Sequence, residues 1–248
     1  MDEVLEKRAN EFRYRCGISL NEAMPLKSLL YKLDVMTVFK PLSGNMSGMA
    51  LKTHDGTTTD RFILVNSAKS CGSQHFTICH ELYHLYIQEN FTSRVCETGV
   101  YLKTDREEYN ADMFASYLLL PEQGVKSLIP DHEFGKNKIT MPTILKIEHF
   151  FCSSRAALLY RLKGLKLIDE ELRLQYAGQV MRSALEFGYS TELYKPGNDN
   201  LVIGDYGALA RSLFEKGDIS ESNYFSLLLD LGMNVTELEN LENGGEEQ

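Results

Sequence analysis

The stretch HFTICHELYHLYIQ, residues 75–88, places His80 and His84 four apart with Glu81 directly after the first. On a helix, positions i and i+4 project from one face, one turn apart. Two imidazoles so placed can bind one tetrahedral zinc ion. Glu81 stands about 100° further round the axis, where it can reach a metal-bound water without being a ligand. The segment is otherwise apolar, with Phe76, Ile78, Leu82, Leu85 and Ile87. Burying three polar groups among them is costly unless a partner satisfies them, and a metal ion is such a partner. Two helical histidines can equally be hydrogen-bonded core or surface groups, so the motif calls for a third ligand.

A candidate lies in EEYNADMFASYLLLP, residues 107–121. Glu108 and Asp112 are again four apart, on one helical face. Glu108 can complete a His2Glu set with a fourth position open for water. Asp112 can sit behind it and accept the free ring N–H of a ligand histidine. Ala111 and Ala115 are small enough to let this helix pack close to the first. The plainer alternative makes Glu107, Glu108 and Asp112 a solvated first turn favoured by the helix dipole. It accounts for Glu107 well, and for Asp112, deeper in an increasingly apolar helix, less well.

The elements that must position these residues follow from periodicity and punctuation. Residues 2–16 carry Leu5, Ala9, Phe12 and Cys16 on one helical stripe, and Pro25 opens a second helix with Leu26, Leu29, Leu30 and Leu33. Strands are predicted at Val35–Lys40, Gly48–Thr53 and Arg61–Asn66, the last two joined by a turn containing Asp55–Gly56. A loop with Ser70, Gly72 and Ser73 then leads into the histidine helix. Residues 104–120 form the next helix, with Thr104 and Glu107 as a capping box and Pro121 as its stop. Further helices are predicted near 143–150, 154–165, 207–215 and 220–231, with 169–188 mostly helical. The layout is α+β: helices, a small sheet packed on helices, then a mainly helical C-terminal part. A soft boundary at PDHEFGKNK, residues 130–138, suggests a first domain over 1–135, a helix-turn-helix-like module over 136–170 and a helical region with an acidic tail over 171–248.

The two motifs together resemble the ImmA/IrrE family of metallopeptidases. Members show F-T-x-x-H-E-x-x-H, matched here by Phe76, Thr77, His80, Glu81 and His84. They then show E-x-x-A-(D/N)-x-F-A-x-x-L-L-(M/L)-P, matched by Glu108, Ala111, Asp112, Phe114, Ala115, Leu118, Leu119, Leu120 and Pro121. ILVNS at 63–67 resembles the family's strand before the active helix, and SSRAALLYRLKGLKLI at 153–168 is a weaker match. The similarity spans roughly residues 5–170. Family members often carry glycine where Tyr83 stands and a basic residue where His75 stands, and neither departure removes a ligand.

The resemblance implies a zincin-like fold with one Zn2+ per chain on His80, His84 and Glu108, with Glu81 as the catalytic base and Asp112 behind the ligands. It also implies cleavage of a partner helix-turn-helix repressor, which switches on phage, mobile-element, stress or defence genes. The alternative from another class is a non-proteolytic anti-repressor that binds and displaces its partner, with the metal site structural. An edge of the small sheet, Gly48–Thr53 or Arg61–Asn66, could take the substrate as an added strand. Tyr83, His75 and His132 are candidates for stabilising the oxyanion.

The remaining features bound the function. The net charge is −9, and the last twelve residues supply −5 of it through five glutamates and no base. This opposes general affinity for phosphate backbones. Residues 139–165 read helix, turn, helix, with Arg155, Arg161 and Lys163. Two packed helices with a core of Ile144, Ile147, Phe150, Leu158 and Leu159 are expected there in preference to a DNA reader. No apolar run reaches the roughly 20 residues of a membrane span. The charged N-terminus lacks a signal peptide's apolar core, so a cytoplasmic location is expected. The five cysteines have no CxxC spacing and read as reduced, mostly buried thiols. Cys79 points away from His80 on a helix, Cys96 could approach the metal as an inhibitory thiolate, and His54 and His149 are expected to be surface or core groups.

Overall fold

The computed structural model describes residues 2–89, 91, 93–96 and 105–230. Thr104, the acidic tail and the side chain of Cys96 lie outside the described residues. In chain order the elements are α1 (Asp2–Arg15), α2 (Leu26–Lys32), β1 (Val35–Lys40), β2 (Gly48–His54), β3 (Thr59–Asn66), α3 (Cys71–Tyr86), β4 (Ser93–Cys96) and α4 (Arg106–Leu119). There follow α5 (Glu122–Ser127), α6 (Met141–Phe151), α7 (Arg155–Gly164), α8 (Glu170–Ala177), α9 (Val180–Glu186), β5 (Val202–Ile203), α10 (Tyr206–Glu215) and α11 (Glu221–Asp230). The fold is α+β, with a small sheet packed on helices and a helical C-terminal part.

The sheet runs β4-β2-β3-β1-β5. β1 is parallel to β3, and the other pairings are antiparallel. One face is buried: Val35, Phe39, Ala50, Ile63 and Val65 are apolar and almost wholly covered. That alternation is what a sheet with one packed face requires. The β2–β3 hairpin turns at Asp55, whose Oδ1 accepts from the backbone N–H of Thr57 at 2.9 Å and of Thr58 at 2.8 Å. Gly56 takes the positive φ, +97°, that the turn needs.

Both strands expected to offer an edge are interior. β2 lies between β4 and β3, and β3 lies between β2 and β1. Among the described residues the outermost strands are β4 and β5, too short to stand out from their surroundings in the sequence.

The helix bearing the histidines begins earlier than its motif suggests. Ser70, assigned to a loop with Gly72 and Ser73, is the N-cap, and its side chain accepts from the Ser73 N–H. The first turn is then locked in place. Buried Gln74 donates to the carbonyls of Ser67 at 3.2 Å, Lys69 at 2.8 Å and Gly197 at 2.9 Å. Gly72 allows α3 to touch α7, since a Cβ there would stand 2.7 Å from the Ser154 nitrogen.

α4 packs along α3 and is covered by α1 and α7. Two arginines hold its C-terminal end. The last carbonyls of a helix have no partner within it. Arg13 of α1, fully buried, donates to Leu118 O at 2.6 Å and to Ser19 O at 2.7 Å. Arg161 of α7 donates to Leu120 O at 2.9 Å, pairs with Glu6 and lies over the Tyr117 ring at 4.6 Å.

α6 and α7 are packed helices joined by a short turn in which Cys152 adopts φ +53°. Ile144, Ile147, Leu158 and Leu159 are buried as expected, but Phe150 is exposed and Phe151 takes its place in the core. Arg155 is interior: it pairs with buried Glu148 and donates to Tyr176 O at 3.0 Å and Ser183 Oγ at 3.2 Å. Tyr194 Oη also donates to Glu148, at 2.7 Å. Burial pushes the Glu148 carboxyl pKa up, against the pull of Arg155 and Tyr194. Among the described residues no helix is long and apolar enough to cross a membrane.

Candidate metal centre

α3 and α4 bring four expected residues to one place. His80 and His84, both buried, present their Nε2 atoms 3.1 Å apart. Glu108, in the first turn of α4, approaches His80 Nε2 with Oε2 at 3.2 Å and His84 Nε2 with Oε1 at 3.5 Å. Asp112, one turn further on, accepts from His80 Nδ1 at 2.9 Å.

α4 reaches this position through its cap. Asp105 is the N-cap, its carboxylate accepting from the N–H groups of Glu107 at 3.1 Å and Glu108 at 3.4 Å. The capping side chain is thus Asp105, one residue after the Thr104 expected from the sequence. Ala111 and Ala115 are wholly buried, as close helix packing needs. Asp112 is buried, so it does not belong to a solvated turn.

The hydrogen bonds behind the rings define the donors in front. An ionised carboxylate only accepts, so Asp112 holds the proton of His80 on Nδ1. Gln88 Oε1 likewise accepts from His84 Nδ1, at 2.5 Å. Both Nε2 lone pairs and the Glu108 carboxylate then converge on the same small volume. Three acceptors so crowded need a ring proton or a metal cation between them. Zinc–nitrogen bonds of about 2.0–2.1 Å at a tetrahedral angle would set ligand nitrogens roughly 3.3 Å apart. The observed spacings straddle that value, and two imidazoles with a carboxylate suit zinc. His80, His84 and Glu108 are thus a group that could hold a metal ion.

Glu81 is wholly buried on the same helix. Its carboxyl lies against β2, where a Cβ on Gly48 would stand 3.1 Å from Oε1. The other polar residues singled out in the sequence are engaged elsewhere. Tyr83 Oη donates to Glu107 at 2.8 Å, with its pKa raised by burial and by that bond. His75 Nδ1 meets Cys152 O at 2.8 Å, and His132 stands exposed beside Glu133. Cys79 is wholly buried with its pKa pushed up to about 12 by desolvation, against the pull of nearby Arg13. His54 meets Thr58 O at the hairpin, and half-buried His149 stacks on Tyr189.

Three contributors were not singled out in the sequence. Gln88 lies four residues after His84, the same spacing that links the two histidines. Phe91 stacks on the His84 ring, centroids 5.2 Å apart. Gly48 leaves the space that the Glu81 carboxyl occupies.

An HExxH helix crossed by a second helix that supplies a carboxylate is the arrangement of a metallopeptidase-type metal site. A family model for the IrrE N-terminal-like domain of peptidase M78 matches residues 31–163, more than half of the chain, and the protein belongs to that family. No curated protein matches the chain significantly.

Proposed function

We propose that the protein is a zinc-dependent, site-specific endopeptidase that cleaves a helix-turn-helix repressor and so switches on the genes the repressor silences. One observation carries the hydrolytic part: a wholly buried glutamate sits one residue after the first histidine of a converged His80–His84–Glu108 set. Burying a carboxyl is costly. A purely structural metal site, as in an anti-repressor that only displaces its partner, has no use for Glu81.

When bound, zinc supplies Lewis acidity, which acidifies water and polarises the scissile carbonyl. Glu81 takes the proton of the attacking water and passes it to the leaving amine. Asp112 and the α3–α4 packing hold the ligand rings in position. The substrate lies along the outer edge of β4 as an added strand. β4 pairs with β2 at Gly48↔Cys96, so this edge is one strand away from the Glu81 carboxyl.

The repressor is recognised as a protein and not through its DNA. Of the four cations of 139–165, Arg155 is paired with Glu148, Arg161 with Glu6 and Leu120 O, and Lys163 with Glu170, while exposed Lys146 meets Leu128 O at 3.4 Å. The test is Glu81→Gln. It should retain one zinc per chain and leave the repressor intact by mass spectrometry, while the wild type yields two fragments. Undiminished cleavage by the variant would refute the role of Glu81. An intact repressor released from its operator by the wild type would establish displacement instead.

A further inference from the structure

The two histidines differ in what supports them from behind. His80 leans on a charged carboxylate, Asp112, whereas His84 leans on a neutral carboxamide, Gln88 Oε1, at 2.5 Å. Gln88 lies just past the end of α3. The amides of Ile87 and Gln88 both bond to Tyr83 O, at 2.8 and 2.9 Å. The second of these bonds spans five residues, closing the helix end with a wider turn, and the Gln88 side chain there meets His84 Nδ1. Phe91 covers one face of the ring, 25° from parallel, and the Tyr83 ring meets it at 79°. The ring is therefore held on two sides by aromatics, with Gln88 fixing its rotation.

We propose that Gln88 is a positioning residue of the metal centre, setting the tautomer of His84 so that Nε2 presents a lone pair to the metal. The proposal rests on the metal-binding role given above to His80, His84 and Glu108. A neutral imidazole carries one ring proton, and the hydrogen bond made by one nitrogen decides which role the other has. With an acceptor at Nδ1, the proton stays there and Nε2 is free to ligate. Without it, the Nε2–H tautomer competes, and metal binding must first displace that proton. A carboxamide supplies this bias without adding a second negative charge behind the ligands, which distinguishes it from Asp112.

The test compares full-length wild type, Gln88→Leu, Gln88→Glu and His84→Ala. Zinc affinity is read by competition with a chromophoric chelator, and the His84 tautomer by 15N-histidine NMR of the metal-free protein. Gln88→Leu should weaken zinc binding about 10–100-fold and raise the population of the Nε2–H tautomer. Gln88→Glu, which restores an acceptor of the same length, should bind zinc at least as tightly as the wild type with His84 protonated at Nδ1. Wild-type affinity and tautomer in Gln88→Leu would overturn the proposal. If Gln88→Leu does not fold, weakened zinc binding by folded Gln88→Glu would overturn it. A wild type that binds zinc no better than His84→Ala would overturn the metal centre itself. Loss of binding in His84→Ala with none in Gln88→Leu would overturn only the role of Gln88.

Discussion

Gly48 is the point at which the sheet touches the proposed base. A Cβ there would lie 2.6 Å from Thr77 Cγ2, 2.9 Å from Leu64 O and 3.1 Å from Glu81 Oε1. Carbon atoms pack best at about 3.5–4.0 Å, so the first contact falls short by about 0.9 Å. Thr77 does not yield cheaply, because its Oγ1 donates to Ser73 O at 3.0 Å. Leu64 O belongs to the backbone of the neighbouring strand. Gly48→Ala must therefore lift β2 from α3, at about 1–3 kcal/mol, the usual range for overpacking. For a chain of this size that lowers Tm by roughly 2–12 °C. The Glu81 carboxyl must also give by a few tenths of an ångström, and since about 1 Å at a reacting group can cost about 100-fold in rate, a fall of roughly several-fold is expected. Zinc content should be unchanged, since the added carbon meets none of the three ligands. Calorimetry, zinc analysis and repressor cleavage read these separately. Adding Thr77→Ser removes the closest contact while keeping the hydroxyl, and should recover part of the lost Tm. Gly48→Ala with wild-type Tm and cleavage rate would refute the claim that the missing side chain sets the position of Glu81.

Two further outcomes follow from the framework around the site. Glu148→Ala leaves Arg155 buried without its anion and should cost about 3–5 kcal/mol in chemical denaturation. Glu148→Met with Arg155→Leu should cost clearly less, because no buried charge is stranded. At the hairpin tip, hydrogen bonds from the backbone N–H groups of Thr58 and then Thr57 hold the Asp55 carboxyl well below the ordinary carboxylate range. A depressed folded-state pKa stabilises above the unfolded value and is lost as pH falls through the folded one. Asp55→Ala should therefore be less stable than wild type at pH 7, with the gap narrowing on acidification in parallel urea titrations.

What could be read in the sequence is what local spacing encodes. β1, β2 and β3 begin or end within two residues of their predicted limits, since alternation and an Asx turn are short-range signals. α3 and α4 were legible because ligand spacing and helical period coincide. β4 and β5 were not: Ser93–Cys96 is four residues long, and Val202–Ile203 is a strand only because it pairs with Thr37 and Val38. Strand order was missed for the same reason, and with it the true edges. The burial of Arg155 and Arg161 was not legible, because burial of an arginine depends on remote acceptors, here Glu148 on one side and Glu6 with Leu120 O on the other. Gln88 was hidden by its chemistry, as a neutral amide at a helix end carries no signature until the ring it supports is known.

The two arginines at the end of α4 separate the region of likeness from the smallest piece that can work. The family match starts at residue 31, yet Arg13 and Glu6 lie before it. A fragment trimmed to the match would leave Leu118 O with no guanidinium, Arg161 with no anion, and the carboxylate-bearing helix unbraced at its far end. Any shortened version intended for zinc chemistry must therefore retain the opening helix.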